Sequence, residues 1–159
     1  MKQRRSRLKI TPTESPAASA KLYEEEAIAG LRAAGYRITM PRVQVIRALA
    51  TTKEALSAYA IHESIMASDG KIDVVSVYRI LGTLQEIGAI YHVGVVDGYF
   101  PCRLPNGSTR SEIFVNETSH AVIELQIPGP VVDALEKQFA EIGLTVSTIK
   151  IEAVGTSKR

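Results

Sequence analysis

The first half of the chain carries apolar side chains at the three- and four-residue spacing of amphipathic helices. Residues 22–34 predict one helix, and a second begins after Thr39 with Pro41 in its first turn. A third helix is predicted to begin at Ser57, which can cap it. The fourth helix is the best defined, because its apolar stripe continues until Gly88 and comprises Val77, Ile80, Leu81, Leu84 and Ile87.

The hydrophobic period changes after this fourth helix. AIYHVGVV, then Asp97-Gly98, then YFPCRL predict a β-hairpin, and short helices followed by a hairpin indicate a winged helix-turn-helix. Strand-like segments continue to residue 127, and TVSTIKIEAV predicts a closing strand. Between them an amphipathic helix is predicted from Val131, Leu135, Phe139 and Ile142. The fold class is therefore α+β, with a winged helix-turn-helix followed by a small α+β domain.

Three segments follow from these patterns. Residues 1–20 hold two prolines and few large apolar side chains, so we expect a flexible basic arm. Residues 21–102 form the predicted winged-helix domain, and residues 103–159 form the α+β domain. The last domain is too small to bury a large core alone, so we expect it to dimerise with a second copy.

Composition narrows the class of protein. The 159 residues are 45% hydrophobic, without the run of about 18 apolar residues that spans a membrane, and without a secretory signal. The single cysteine, Cys102, excludes an internal disulfide and a four-cysteine zinc site. We therefore expect a cytoplasmic protein without membrane attachment. No nucleophile, base and orienting group occur in a recognisable pattern, so neither an enzyme nor a small-molecule substrate is expected.

The net charge of +2 is unevenly distributed. Residues 1–21 hold six basic residues and one acid, and residues 27–53 hold five basic residues and no acid. Local positive charge of this kind favours a polyanionic partner such as nucleic acid. The alternative is that these side chains are solvated on a helix face and that the arm only increases solubility.

Four stretches carry a resemblance to a known family. They are GYRITMPRVQVIRAL, ALSAYAIHESI, SVYRILGTLQEIGAI, and the stretch from His92 through Cys102 to HAVIEL. In this order, and across residues 30–155, the sequence resembles the ferric uptake regulator (Fur) family, nearest to its zinc uptake regulators. The resemblance implies a homodimeric transcriptional repressor whose winged helix binds operator DNA. It also implies that bound metal holds the two winged helices in the arrangement that binds DNA.

The resemblance makes residues 74–87 the recognition helix of the winged domain, with its first turns in the major groove. The expected DNA-contacting residues are Arg37, Arg42, Tyr59, Ser76, Tyr78 and Arg79. A guanidinium at Arg79 can bind guanine O6 and N7, whereas Arg37 and Arg42 would hold phosphates. The alternative places Tyr78 in the core and leaves the arginines solvated.

Three residues match the metal-sensing site of the zinc branch, namely His92, Cys102 and Glu124. Imidazole, thiolate and carboxylate are the ligands that zinc takes. His120 has the same strand parity as Glu124, so we add it as a fourth ligand. Each also has a plainer interpretation, in which the cysteine is a small buried apolar residue, the histidine is hydrogen-bonded in the hairpin and Glu124 is solvated.

Counting along the hairpin gives two possible registers. A two-residue turn at Asp97-Gly98 would place Val93 opposite Cys102, with His92 pointing away. A three-residue loop over residues 96–98 would instead pair His92 with Cys102.

The sequence departs from the family at its structural zinc site. Most members carry two C-x-x-C pairs, and the first would fall at Asn116 and Ser119. Ile149 and Ser157 stand where the last strand usually has a histidine and a cysteine. The histidine-rich run before the first pair is also absent, with Arg110 and Ser111 in that region. No structural zinc is therefore expected.

Two forms of the function remain open. The first is a repressor that responds to a divalent metal, with zinc as the expected cofactor. The second is a winged-helix regulator that has lost metal control, and that binds DNA constitutively or responds to a partner or to oxidation of Cys102.

Overall fold

Residues 11–12, 20–103 and 111–157 are described by the computed structural model, which has the predicted α+β fold. The helices are α1 (Ala20–Ala33), α2 (Met40–Ala50), α3 (Ala58–Ala67), α4 (Val74–Glu86) and α5 (Gly129–Glu141). The strands are β1 (Thr11–Pro12), β2 (Ile90–Val93), β3 (Gly98–Pro101), β4 (Ser111–Asn116), β5 (Val122–Gln126) and β6 (Lys150–Gly155). No described helix is long and apolar enough to cross a bilayer.

Helices α1 to α4 bury their apolar faces in one core. The stripe predicted for α4 lies inside it, with Val77, Leu81 and Leu84 completely buried. The other large side chains that are completely buried in this core are Leu31, Val45, Ile46, Leu49 and Ile61. Since isolated helices of 10 to 14 residues are marginal in water, this packing rather than helix propensity holds them.

Local contacts fix the start of α3 and the turn that follows it. The Ser57 side chain caps the start of α3 by accepting a hydrogen bond from the Ala60 N–H at 3.1 Å. Across the turn between α3 and α4, the His62 ring lies 3.0 Å from the Ile72 carbonyl oxygen. A Cβ at Gly70 would lie 2.4 Å from Ile65 Cγ2, so this close approach requires glycine. These contacts set the position of α4 relative to α3.

The hairpin β2–β3 has neither of the two registers considered from the sequence. His92 pairs with Tyr99 and Val93 with Gly98, which leaves a four-residue loop, residues 94–97, and Cys102 just outside the strand. A distant residue also contacts this loop. The Glu152 carboxylate of β6 accepts the N–H groups of Gly94 and Val95 at 3.1 and 2.9 Å. Asp97, in the left-handed conformation with a φ of 45°, donates its N–H to the Gly94 carbonyl oxygen at 3.3 Å and closes the loop before Gly98.

The second half of the chain is built on a four-stranded sheet in the order β1-β5-β4-β6, in which β4 and β6 are parallel. Thr11 and Pro12 pair with β5 opposite Gln126 and Leu125. Two residues of the predicted flexible arm are thus paired with the sheet, and the extent of the arm, residues 1–20, stays a prediction. The physical reason for the pairing is that the edge of β5 presents backbone groups that a further strand satisfies.

The hairpin packs against this sheet as well as against the helices. Tyr91, Val93 and Phe100 form a second apolar cluster with residues of β4 and β5, namely Ile113, Val115 and Val122. Ile90 lies in the helical core. The hairpin thus joins the two cores, and a division of the chain between residues 102 and 103 stays a prediction.

Helix α5 has the predicted amphipathic pattern, but the chain does not cover its apolar face. Leu135 and Phe139 are 41% and 40% exposed, and Ile142 is 71% exposed. Within the described residues, Val132 is the buried apolar residue of this helix. A stripe of large apolar side chains is therefore left open to solvent in the single chain.

Candidate nucleic-acid interface and metal site

Helix α4 begins at an Asp73 cap that also engages Ser76. Asp73 Oδ1 accepts the Ser76 backbone N–H at 2.9 Å, and Asp73 Oδ2 accepts the Ser76 hydroxyl at 2.6 Å. The cap satisfies a backbone donor at the end of the helix that a helix-turn-helix presents to the groove. The hydroxyl of Ser76 is thus already donated within the chain, and its expected role in DNA contact stays a prediction.

We expect the Asp73 cap to make stability depend on pH in acid. The Ser76 hydroxyl, followed by the Ser76 N–H, lowers the pKa of Asp73 below its ordinary value of 3.8. Because the folded pKa is the lower one, the cap stabilises the fold above the unfolded pKa. This stabilisation is lost as the pH falls through the folded pKa.

Urea unfolding of the wild type and of Asp73→Asn at pH 6 and pH 3 checks this expectation. Asparagine can still accept the backbone N–H but carries no charge. The difference in unfolding free energy between the two proteins should therefore be larger at pH 6 than at pH 3. An equal difference at both pH values would show that the charge of Asp73 does not matter.

The outer face of α4 presents one stripe of exposed side chains, Val75, Tyr78 and Arg79. Tyr78 is 48% exposed and lies edge-to-face with Tyr59 of α3, with ring centroids 6.5 Å apart. The alternative that placed Tyr78 in the core is therefore wrong. Within the described part of the chain, the Arg79 guanidinium has no hydrogen bond or ion pair, so it is available to a ligand.

The segment before α2 is attached to the last turn of α4. The Tyr36 hydroxyl donates to Glu86 Oε2 at 2.7 Å, and the Arg42 guanidinium lies over the Tyr36 ring, 5.2 Å from its centroid. Arg42 also donates to the Arg37 carbonyl oxygen. The side chain of Arg42 is thus held within the chain. The Arg37 residue is exposed, and its side chain has no partner among the described residues.

His92 lies on the outer face of the hairpin. Its Nε2 is 2.9 Å from Asp97 Oδ1, and its ring centroid is 5.3 Å from that of Tyr99. Cys102 instead follows β3 and donates its backbone N–H to the Ala89 carbonyl. The structure therefore does not bring His92 and Cys102 together.

Cys102 and Glu124 do meet, around the hydroxyl of Tyr91. Cys102 Sγ donates to the Tyr91 hydroxyl at 2.9 Å, and Tyr91 also shares a side-chain hydrogen bond with Glu124. Burial is the main cause that raises the pKa of the Tyr91 phenol, followed by the charge and hydrogen bond of Cys102 and then those of Glu124. The phenol between the two predicted ligands is therefore protonated over the range in which proteins are folded.

His120 is remote from this cluster. It occupies the turn between β4 and β5 with a φ of 57°, is exposed, and accepts the Ala55 N–H on its carbonyl oxygen. The parity argument for His120 is wrong, because β5 begins only at Val122.

The four predicted ligands do not fit one metal ion in this arrangement. Across residues 20–103 and 112–157, no three side chains of His, Cys, Asp or Glu are grouped for metal binding. The intervening residues 104–110 contain none of these four types in their sequence.

Three residues that shape these sites were missed by sequence reasoning. Tyr91 and His92 are neighbours in β2, so their side chains point to opposite faces of the strand. Assigning the face of Tyr91 to the interior would have identified this residue. Val75 has the spacing of a residue that shares the outer face of α4 with Tyr78. Glu152 carried no sequence signal, because its partners lie 57 and 58 residues away.

Comparison with known proteins agrees with this architecture. The sequence model described as the ferric uptake regulator family matches residues 33–154. The ferric uptake regulation protein of Brucella abortus biovar 1 (strain 9-941) is 31% identical over 121 residues, covering 76% of this chain and 78% of that protein. The zinc uptake regulation protein of Escherichia coli (strain K12) is 29% identical over 120 residues, covering 75% and 70% respectively.

A solved structure described as a zinc uptake regulator complexed with zinc and DNA has the same fold. Its TM-score is 0.76 at 23% identity, and the match covers 88% of this chain and 93% of that chain.

Proposed function

The chain belongs to the ferric uptake regulator family, and on this basis we propose that it is a homodimeric, sequence-specific DNA-binding repressor of transcription. The family consists of regulators rather than enzymes. The observation that carries the proposal is the outer face of α4, which leaves Arg79 and two tyrosine rings open beside the helix-turn-helix. A zinc uptake regulator of the same fold has been solved with DNA, which supports this assignment.

Helix α4 is proposed to enter the major groove with its capped N-terminal end. Arg79 would read guanine through its planar fork, and Val75 and Tyr78 would contact thymine methyl groups. Tyr59 would support Tyr78 and contact the backbone, and the exposed Arg37 would hold a phosphate.

The homodimer is supported by the uncovered face of α5. Leu135, Phe139 and Ile142 form an apolar stripe that a single chain leaves in solvent. Next to it in the sequence, β6 is an edge strand of the sheet. A second copy that covers this stripe would remove its apolar surface from water, and a symmetric dimer suits paired operator half-sites.

The two forms of the function, a metal-responsive repressor and a regulator that has lost metal control, differ in whether DNA binding depends on a bound metal. The similarity to a zinc uptake regulation protein suggests the first form, a zinc-responsive repressor. The contact of Tyr91 with both Cys102 and Glu124 favours the second form, in which DNA binding does not need metal, because the phenol stands between the two predicted ligands. We therefore propose the second form.

The proposal is tested with duplexes selected from a random pool and fluorescence anisotropy at fixed salt, first with zinc and then with a chelator. Specific binding by a dimer, equal in both conditions, is the expected result. Specific binding only with zinc would support the metal-responsive form instead. Failure to select any specific duplex would reject the repressor function.

A further inference from the structure

A buried cluster of polar groups lies where the helices, the hairpin and the sheet meet. Tyr91 comes from β2, Cys102 follows β3, and Glu124 comes from β5 and is 4% exposed. Cys102 Sγ donates to the Tyr91 hydroxyl, and the Tyr91 hydroxyl hydrogen-bonds to Glu124. The ring of Tyr91 packs in the second apolar cluster, and this packing fixes the position of the Tyr91 hydroxyl.

Arg103 connects this cluster to the helical half of the chain. Its backbone N–H donates to Glu124 Oε1 at 3.0 Å. Its guanidinium Nη2 donates to the carbonyl oxygens of Ala50 and Thr52 at 3.1 and 2.9 Å, at the C-terminal end of α2. A cation at this position satisfies carbonyl groups that have no partner within the helix. A continuous set of hydrogen bonds thus runs from α2 through β5 to the hairpin.

We propose that the Tyr91 hydroxyl takes the place of a bound metal ion at this junction, so that hydrogen bonds alone couple the winged helix to the sheet. The proposal rests on the proposed DNA-binding function and adds the residue that makes metal unnecessary. Tyr91 is a positioning residue, since it acts by holding the hairpin against Glu124.

The chemistry of the three groups supports this assignment. A tyrosine hydroxyl has one donor and accepts on its oxygen, so it satisfies the thiol and the carboxylate at the same time. A metal ion between Cys102 and Glu124 would have to displace the hydroxyl, move a buried ring and remove the thiol proton. A neutral phenol is also not among the usual zinc ligands.

One substitution should therefore convert the junction into a metal site. In Tyr91→His the side chain is shorter and presents an imidazole to Cys102 and Glu124. Imidazole, thiolate and carboxylate are a zinc ligand set with one position open for water. The wild-type tyrosine therefore occupies the position between Cys102 and Glu124 and leaves these two residues without a third metal ligand among the described residues.

Cobalt(II) titration of the full-length protein under reducing conditions tests metal binding directly, because a thiolate ligand gives an intense near-ultraviolet charge-transfer band. We expect no Cys102-dependent band in the wild type. We expect a band in Tyr91→His that disappears in Tyr91→His with Cys102→Ser. A wild-type band that disappears in Cys102→Ser would overturn the proposal, even if the histidine variant does not fold. A folded Tyr91→His protein without the band would also overturn it.

DNA binding by Tyr91→Phe then tests the coupling, with Tyr23→Phe as the matched control. Tyr23 is also a buried tyrosine, but its hydroxyl donates to the Ala89 carbonyl, not to Glu124. Loss of the Tyr91 hydroxyl removes the contact that joins β2 to Cys102 and Glu124, so we expect DNA affinity to fall about fivefold or more, with little change in the control.

The outcomes distinguish a failure of the proposed metal-free junction from a failure of the proposed repressor function. Wild-type DNA affinity that rises more than about tenfold with zinc would overturn the metal-free junction and leave the repressor function intact. Equal DNA affinity of Tyr91→Phe and the wild type would also overturn the proposed role of the Tyr91 hydroxyl at the junction. Absence of specific DNA binding in the wild type would reject the repressor function, while the cobalt result would still decide metal binding.

Discussion

Replacement of Arg79 by alanine is expected to lower the affinity for the selected duplex by roughly ten- to a hundredfold, which corresponds to the 1–3 kcal/mol of one bidentate base contact. Arg79 lies on the exposed face of α4, and no side chain in the described residues engages its guanidinium. Because it is expected to read a base, its loss should also relax sequence preference at one position. Anisotropy with the selected duplex and with a duplex altered at each position measures both effects.

Arg47→Ala is the matched control for this prediction. Arg47 is also an exposed helical arginine, but its guanidinium is bound to Glu24 at 2.9 Å. Exposed ion pairs contribute little to stability, so this variant should fold and bind DNA as the wild type does. If both variants lost affinity equally and without a change in sequence preference, Arg79 would be a source of positive charge and not a base-reading residue.

Leu81→Ala is expected to lower the free energy of unfolding by about 2–5 kcal/mol, the range for leucine truncation in a packed core. Leu81 is completely buried in the helical core and belongs to the helix proposed to contact DNA. Since small proteins have a total stability of only about 5–15 kcal/mol, this loss approaches the limit at which the fold persists. Urea unfolding followed by circular dichroism measures the change.

Val75→Ala serves as the control in the same helix. Val75 is 55% exposed, so its truncation should change the unfolding free energy by less than about 0.5 kcal/mol. DNA affinity should nevertheless fall in Val75→Ala, because the removed methyl groups lie on the proposed contact face. A large loss of stability in both variants would contradict the assignment of buried and exposed faces of α4.

Much of the helical half was predictable because its signals are local. The apolar stripe of α4 and the cap at Ser57 depend on residues three to four positions apart, and both are present in the structure. The winged-helix order followed from the change of period after Gly88. The predicted amphipathic helix near residue 131 also formed as α5.

The candidate metal site was less predictable because it depends on strand register. A shift of one residue moves a side chain to the opposite face of a strand. Here His92 faces outward and Tyr91 faces Glu124, the reverse of the arrangement needed for the predicted ligand set. Local turn rules gave two registers, and the structure has a third, with a four-residue loop whose N–H groups at Gly94 and Val95 are bound by Glu152.

The sequence by itself determined the order of the elements, the apolar faces of the helices and the family. Only the tertiary structure decided which polar groups meet at the junction, because Tyr91, Cys102 and Glu124 come from separate elements whose register is set by packing. It also decided that α5 keeps an exposed apolar stripe, since periodicity identifies an apolar face but not what covers it. Helical periodicity is a property of neighbouring residues, whereas a site between elements depends on contacts across the whole chain.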